Sequence, residues 1–263
     1  MQLTMGVDIG SASSKAVILR DGRDLVAQAA VQSGTGTSGP DRVMEEIMCV
    51  SNKKQEDIAY TVVTGYGRFS LDAADKQISE ISCHAKGVHF FLPDVRTILD
   101  IGGQDVKAIS IDENGAVQNF YMNDKCAAGT GRFIEVMSRI LEIDITEMGN
   151  YDKLSQNPVT VSSTCTVFAE SEVISLLSQK KAKEDIIRGV HESVVNRAAG
   201  LLYRTRMEED FALTGGVAQN SGVARALERE LKRKIYIADH PQMTGAVGAA
   251  LFAWEALHGE KRI

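Results

Sequence analysis

The sequence predicts an α/β protein made of two similar domains, each a mixed sheet with helices packed on it. The first observation is a motif that occurs twice along the chain. The second is that strand-like alternation follows each copy and then gives way to helical periodicity. The third is size, because 263 residues with 44% apolar side chains are enough to build two small cores.

The repeated motif consists of a strand, a glycine turn and a second strand. The shared residues recur with the same spacing, as Asp8, Gly10 and Lys15 in the first copy and Asp100, Gly102 and Lys107 in the second. Each copy is followed by a turn signal, at 21–22 and at 113–115, and then by a third short strand. Two antiparallel meanders in register indicate two domains of the same kind.

Helices are predicted after each meander. Pro40 marks the first turn of one helix, in which Val43, Ile47 and Val50 form the apolar face. The later segments alternate between helix and strand, namely a long helix at about 187–201, a strand at 211–214, a helix at about 219–231, a strand at 234–237 and a helix at about 244–257. The stretch from about 123 to 184 interrupts this order and is predicted to be an insertion of helices.

Composition excludes several classes of function. Lysine and arginine number 29 against 35 acidic residues, without a dense basic stripe, so no nucleic-acid partner is expected. No apolar run reaches 18 residues, which predicts no membrane span, and the first residues lack a basic signal-peptide start. We therefore expect a cytoplasmic protein, in which the four cysteines stay reduced.

The two glycine turns have the chemistry of a nucleotide site. Backbone N–H groups of tight turns can hold phosphate oxygens, and carboxylates can hold Mg²⁺ through water. The candidate nucleotide-binding residues are Gly10, Ser11, Ala12, Ser13, Ser14 and Lys15 in the first turn, Gly102, Gly103, Gln104 and Asp105 in the second, and Gly215, Gly216, Val217, Ala218 and Gln219 in a third.

Three residues are candidates for the catalysis of ATP hydrolysis. Asp8 and Asp100 end their strands and are expected to hold Mg²⁺ through water, and Gln104 could orient an attacking water. A single Asp-x-Gly hairpin is also typical of an ordinary turn, but two copies and a later Thr-Gly-Gly favour the nucleotide site. The glycine-rich stretch 33–39 lacks the lysine of a phosphate-binding loop and is interpreted as a connection.

The four cysteines fall into two groups. Cys49 and Cys83 lie in predicted helices beside apolar residues and are expected in the core. Cys126 and Cys165 are predicted near helix N-termini, where a thiolate or an anionic cluster is favoured. Two thiolates cannot fill a four-cysteine iron–sulfur site, whereas two chains related by a two-fold axis can. A reactive thiol or a buried core cysteine is equally compatible with the spacing.

The three glycine elements resemble the phosphate-1, phosphate-2 and adenosine motifs of the actin, heat-shock chaperone and sugar-kinase superfamily. That resemblance covers nearly the whole chain and implies two ribonuclease-H-like (actin-like ATPase) domains with a nucleotide cleft between them. It also implies that the last helix packs on the first domain. The expected domains are thus 1–95 plus about 244–263, and 96–243 with the insertion at about 123–184.

More specifically, the sequence resembles activators of 2-hydroxyacyl-CoA dehydratases, which belong with the ATPase subunits of benzoyl-CoA reductases. The segments that carry the resemblance are 6–11, 64–68, 100–105, 123–133, 162–172 and 214–220. In such activators each subunit of a homodimer donates two cysteines to one [4Fe–4S] cluster, and the matching residues are Cys126 and Cys165. The resemblance gives no role to the 64–68 loop.

The resemblance also implies a mechanism and partners. A reduced ferredoxin or flavodoxin supplies one electron, and ATP binding (ATP/ADP with Mg²⁺) rotates the domains and changes the angle between the cluster-bearing helices. The dimer then docks transiently on its dehydratase, which eliminates water from an (R)-2-hydroxyacyl-CoA. The substrate could be of the 2-hydroxyglutaryl, 2-hydroxyisocaproyl or phenyllactyl type.

Three alternatives remain open at this point. One is the ATPase subunit of a benzoyl-CoA-reductase-type enzyme, which has the same chemistry but permanent partner subunits. Another is a small-molecule kinase of the same fold, for which the chain is short. The third is an ATP-dependent regulator without redox chemistry, in which all the cysteines are structural.

Overall fold

The chain forms two five-stranded mixed sheets with helices packed on them, which confirms the predicted α/β fold class. The computed structural model describes residues 1–72, 74–162, 165–205, 207–208 and 210–259. Over those residues, the structure contains no helix with the length and apolar character needed to cross a membrane.

The first sheet has the order β3-β2-β1-β4-β5. Its strands are β1 (Leu3–Ile9), β2 (Ser14–Arg20), β3 (Asp24–Val31), β4 (Ile58–Thr64) and β5 (Lys76–Gln77). The first three form the predicted antiparallel meander, and β4 pairs with β1 in parallel. Asp21 and Gly22 both have positive φ and lie at the centre of the turn that Arg23 closes by donating its N–H to the carbonyl of Arg20 at 3.0 Å.

The second sheet repeats this topology, in the order β10-β9-β6-β7-β8. Its strands are β6 (Thr97–Ile101), β7 (Val106–Ile111), β8 (Val117–Asn123), β9 (Phe211–Thr214) and β10 (Ile235–Tyr236). Asp8 lies opposite Lys15 in the first ladder, and Asp100 lies opposite Lys107 in the second. The sequence repeat is therefore a repeat of structure down to the pairing of individual residues.

Eight helices are described, and four of them fall within or border the predicted insertion. They are α1 (Gly39–Ser51), α2 (Glu80–Phe91), α3 (Gly131–Leu141), α4 (Met148–Asp152), α5 (Thr166–Ser178), α6 (Lys183–Leu202), α7 (Ser221–Leu231) and α8 (Thr244–His258). The chain divides into unit 1, residues 1–95, 111–118 and 238 onward, and unit 2, residues 96–110 and 119–237.

In unit 1, α8 packs against the first sheet and against α2. Ala246 and Ala250 are fully buried in a cluster with Val17 and Leu19, and the Thr4 hydroxyl donates to the carbonyl of Ala250 at 3.1 Å. Small side chains allow the helix to approach the strands closely. The helix α8 thus covers β1, although Thr4 and Ala250 are 246 positions apart in the chain.

In unit 2, the helices of the insertion share one core with the second sheet. Phe133 of α3, Val173 of α5 and Val190 of α6 are all fully buried in the same cluster as Leu99 and Leu213. The stretch 123–184 is therefore an integral part of the unit 2 core rather than an appendage. This packing fixes the positions of the loops that carry Cys126 and Cys165.

Some sequence predictions were wrong in detail. Cys49 is exposed rather than part of the core, and Val50, predicted on the apolar face of α1, is also exposed because it lies in the last turn of the helix. Cys83 is buried, as predicted. The helix expected from about residue 219 begins at Ser221, since Asn220 caps it by accepting the N–H of Gly222 at 2.9 Å.

Candidate functional site

The first glycine turn joins β1 to β2 in unit 1. Gly10 donates its N–H to the carbonyl of Ser13 at 3.0 Å, which closes a tight turn. Asp8 is buried at the end of β1, and the Lys15 ammonium lies 3.6 Å from its carboxylate. Ala12 at the tip of the turn is exposed. The turn therefore presents backbone and hydroxyl groups beside a neutralised carboxylate, which is a suitable surface for phosphate oxygens.

The stretch 33–39, interpreted as a connection, packs on this turn. Thr35 donates its N–H to the carbonyl of Gly10 at 2.9 Å, and the Ser14 hydroxyl donates to the carbonyl of Ser33 at 2.8 Å. Ser14 is fully buried and its proton is used within the fold. The segment thus supports the first turn, a role for which the sequence carried no pattern.

The second glycine turn joins β6 to β7 in unit 2. Gly102 donates its N–H to the carbonyl of Asp105 at 2.9 Å, the equivalent of the Gly10 bond. Lys107 is buried between two carboxylates, 3.2 Å from Asp100 and 2.7 Å from Asp105. Gln104 at the tip is exposed and takes no part in closing the turn. Its amide is therefore available to hold a water molecule at this surface.

The third glycine turn follows β9 and adjoins the second. Gly215 has φ +85, and a side chain there would lie 2.9 Å from the Asp100 carboxylate oxygen Oδ1. Only glycine fits this approach at a positive φ. A short 3-10 turn, Gly216–Gln219, follows, with Gly216 and Gln219 exposed and Val217 and Ala218 buried.

Unit 1 has an equivalent of the third turn, which the sequence reasoning missed. Gly65 follows β4 with φ +91, and a side chain there would lie 2.5 Å from the Asp8 carboxylate oxygen Oδ1. Gly67 donates its N–H to the carbonyl of Ile9 at 2.8 Å. The dipeptide Thr-Gly at the end of a strand, at 64–65 and again at 214–215, was the signal that could have identified it.

The loop that carries Cys126 is attached to the second glycine turn. Gly131 and Arg132, the first residues of α3, donate their N–H groups to the carbonyls of Gly102 and Gly103 at 2.9 and 2.8 Å. Thr130 is the N-cap of α3, so Cys126 lies four residues before the cap rather than in the first helical turn. The prediction that both cysteines adjoin helix N-termini is thus confirmed for Cys165 and only approximate for Cys126.

Cys165 is the N-cap residue of α5, and both candidate cysteines are half-buried free thiols. The guanidinium of Arg197, on α6, donates from Nη2 to the sulfur of Cys126 at 3.5 Å. Among the described residues, no three His, Cys, Asp or Glu side chains come together in a group that could hold a metal ion.

Three large apolar side chains of α5, beyond Cys165, are exposed. Val167, Phe168 and Ile174 are 66%, 68% and 50% exposed, although they belong to a well-formed helix. Val167 and Ile174 are seven positions apart and therefore lie on the same side of the helix. Cys165, the N-cap of α5, is thus close in sequence to exposed apolar groups of the kind that often contact another protein.

A buried polar network joins α4, α6 and the third glycine turn. Nδ1 of His191 lies 3.0 Å from the Asp152 carboxylate, and Arg225 donates to the other carboxylate oxygen at 2.8 Å. The Asn220 amide Nδ2 lies 3.1 Å from Nε2 of His191. Asn220 thus links His191 to the N-terminus of α7, because its Oδ1 accepts the N–H of Gly222 and caps that helix.

The charge of Asp152 is stabilised in this network. Burial raises the pKa of its carboxyl, but the hydrogen bonds from His191 and Arg225 and the charges of both partners outweigh burial and hold the pKa below its usual range. Asp152 therefore stays ionised and holds α4 and α6 together. The same α6 carries His191 beside the third glycine turn and Arg197 beside Cys126.

The model of the BadF/BadG/BcrA/BcrD ATPase family matches residues 5–253. The chain is 59% identical to the activator of lactoyl-CoA dehydratase of Anaerotignum propionicum, over 96% of this chain and 98% of that protein. It is 33% identical to one of the subunits of the benzoyl-CoA reductase of Thauera aromatica, over 99% of this chain and 95% of that protein. These matches extend over the nucleotide turns and both candidate cysteines.

Solved structures support the same assignment. The activator of the 2-hydroxyisocaproyl-CoA dehydratase from Clostridium difficile, solved with bound ADPNP, superposes with a TM-score of 0.95 at 54% identity, covering 100% of this chain and 98% of that one. A ROK family glucokinase from Streptomyces griseus has a TM-score of 0.57 at 14% identity, over 95% of this chain and 99% of that one. The second likeness shows a shared actin-like fold and nothing more.

Proposed function

The chain belongs to the BadF/BadG/BcrA/BcrD ATPase family, and on that premise we propose that it is an ATP-dependent one-electron activator of an (R)-2-hydroxyacyl-CoA dehydratase. A relative at 59% identity is named as the activator of lactoyl-CoA dehydratase, and the structural neighbour at 54% as an activator of 2-hydroxyisocaproyl-CoA dehydratase. The activity of the chain itself is ATP hydrolysis, and the dehydratase determines the acyl-CoA specificity.

One observation carries the proposal, namely that the Cys126 loop and the second glycine turn are hydrogen-bonded to each other. The backbone N–H groups of Gly131 and Arg132 donate to the carbonyls of Gly102 and Gly103. A shift of the turn that responds to the state of the γ-phosphate would therefore move the first turn of α3 and the loop before it. This contact supports a coupling between nucleotide and cysteine within unit 2.

The glycine turns take complementary parts in the binding of ATP. In the proposed site, the N–H groups of Ser11, Ala12 and Ser13, the hydroxyls of Ser11 and Ser13 and the ammonium of Lys15 bind phosphate oxygens, while Gly10 uses its own N–H to close the turn. Asp8 and Asp100 hold Mg²⁺ through water, since carboxylate oxygens are the ligands that this ion prefers. Gln104 orients the attacking water, while the turn at 215–219 contacts the adenosine.

Cys126 and Cys165 are the proposed cluster ligands of this chain. Their free, half-buried thiols support that proposal, as does the hydrogen bond that Arg197 donates to the sulfur of Cys126. We propose that two chains share one [4Fe–4S] cluster across a two-fold axis, with the exposed apolar side chains of α5 contributing to the contact between them. When bound, the cluster would accept one electron from a ferredoxin or flavodoxin and pass it to the dehydratase.

The test is the iron and sulfide content of protein purified without oxygen, together with the EPR spectrum after reduction by dithionite. We expect about four iron and four sulfide per homodimer. Cys126→Ala and Cys165→Ala should each lose the iron and keep ATP hydrolysis, because the glycine turns do not depend on the thiols. The matched control is Cys49→Ala, which removes an exposed thiol from unit 1 and should keep both.

Other results would contradict the proposal. Wild-type protein without iron under these conditions would exclude the redox function and leave a kinase or a regulator of the same fold. Iron retained in Cys126→Ala would exclude that ligand. Isolation only as part of a larger complex with permanent subunits would favour the benzoyl-CoA reductase type, although 33% identity to a component of that enzyme against 59% to an activator favours the activator.

A further inference from the structure

Arg197 is held against the sulfur of Cys126 by the unit 2 core. Its Nη2 donates to Sγ at 3.5 Å, across 71 positions of sequence. Its neighbours on α6, Val194 and Ala198, are buried, so the backbone of the helix is fixed at this point. Packing thus fixes the backbone position from which the Arg197 side chain reaches the sulfur.

The cysteine loop is fitted to the stem of the same side chain. Gly129 has φ +86, and a side chain there would lie 3.1 Å from both Cβ and Cγ of Arg197. Because only glycine allows this approach at a positive φ, the loop rests directly on the arginine stem. The contact between guanidinium and sulfur is therefore supported at both ends.

We propose that Arg197 is a positioning residue that raises the reduction potential of the cluster bound through Cys126, an inference that rests on the proposed function. Reduction adds one negative charge to a cluster that is already anionic. A guanidinium stays positively charged at any physiological pH, and N–H···S bonds stabilise the more negative state. With one Arg197 from each chain, two such bonds would act on one shared cluster.

A second arginine on the same surface provides the control. Arg204 lies two residues beyond the end of α6 and lines the same cavity of about 410 Å³ as Arg197, together with Asn123 and Met122. Its guanidinium lies over the Tyr121 ring, 4.6 Å from the ring centroid. Arg204→Gln removes the same charge as Arg197→Gln from the same cavity but leaves the N–H···S bond intact.

The experiment is a redox titration of anaerobic, iron-loaded protein followed by the EPR signal of the reduced cluster. We expect Arg197→Gln to lower the equilibrium constant for reduction at least tenfold, which for one electron corresponds to ~59 mV. Arg197→Lys, which keeps the charge but not the planar donor, should change it in the same direction by less. Arg204→Gln should change it by less than either.

The outcomes separate this inference from the function on which it rests. Wild-type protein without a cluster would overturn both. A cluster present in the wild type with an unchanged potential in Arg197→Gln and Arg197→Lys would overturn the role of Arg197 alone. An equal shift in Arg204→Gln would assign the effect to distant charge rather than to the bond. Loss of iron from both Arg197 variants would make the residue necessary for assembly and would equally overturn the tuning role.

Discussion

The two glycine turns have the same backbone and different chemistry. In both, a glycine N–H closes the turn at about the same distance, 3.0 Å in the first and 2.9 Å in the second, and a lysine faces the strand-end aspartate. The first turn carries hydroxyls, and its Lys15 has one carboxylate partner at 3.6 Å. The second carries Gln104 and Asp105, and its Lys107 lies between two carboxylates.

Because of this difference, the first turn offers mainly hydrogen-bond donors, whereas the second offers carboxylate acceptors. Asp8 and Lys15 balance each other, so the first turn is neutral and rich in hydrogen-bond donors. In the second turn, two carboxylates lie within hydrogen-bond distance of Lys107, those of Asp100 and Asp105. The side chain of Lys15 is 14% exposed and can reach a phosphate. The side chain of Lys107 is only 3% exposed, and its ammonium binds the two aspartates. One hairpin design, used twice, thus has a different chemical task in each unit.

The largest expected effect comes from the two lysines. Lys107→Met should lower the free energy of unfolding by about 3–5 kcal/mol, because it leaves buried carboxylates without their counter-charge. Lys15→Met should cost about 1 kcal/mol or less, since that pair is longer and partly exposed, but should raise the KM for ATP at least tenfold. Urea unfolding and ATPase kinetics on both variants measure the contrast. Greater destabilisation by Lys15→Met would reverse the assignment of the two turns.

A smaller effect is expected from the tips of the turns, where Gln104 and Ala12 are equivalent. Gln104→Ala should lower kcat about 100-fold with little change in KM, because a water-orienting amide acts in the transition state. Adding Ala12→Gln to this variant should not restore kcat, since in the proposed site the first turn binds phosphate and does not contact the attacking water. Steady-state ATP hydrolysis is the measurement, and rescue by the double variant would show that the turns are interchangeable.

The smallest effect is a change in acid stability that belongs to unit 2. The folded-state pKa of Asp152 is lowered, so its carboxylate stabilises the fold above about pH 4 and this stabilisation is lost as the pH falls through the folded pKa. Asp152→Asn should make the dependence of unfolding free energy on pH shallower, by at most about 1.4 kcal/mol per pH unit, the limit for one proton. Urea unfolding between pH 5 and pH 3 tests this, and identical slopes would contradict it.

The sequence predicted the parts of the fold that local patterns encode. The shared spacing of Asp8 and Asp100 with their lysines and the turn at Asp21-Gly22 are confined to short segments, and both were correct. The α8 helix was placed to within one residue at either end, because its bounds follow from a turn and an apolar run. Such elements are predictable because their local sequence preferences agree with the structure that they adopt in the complete fold.

The contacts that the sequence did not predict join residues far apart in the chain. Arg197 approaches Cys126, and His191 approaches Asp152, only because α6 packs against both the Cys126 loop and α4. The exposure of Cys49 likewise depends on which side of α1 the sheet covers. Spacing within one segment contains no information on such tertiary geometry.

The packing of α8 on β1 also imposes an order on the making of the protein. The ribosome synthesises residues 96–237 before residues 244–258. The strand β1, which carries Asp8, therefore lacks its covering helix α8 until unit 2 has been synthesised. Domains fold as units during translation. Unit 2 can therefore complete its core before the first sheet receives its covering helix, although the chain of unit 2 starts later.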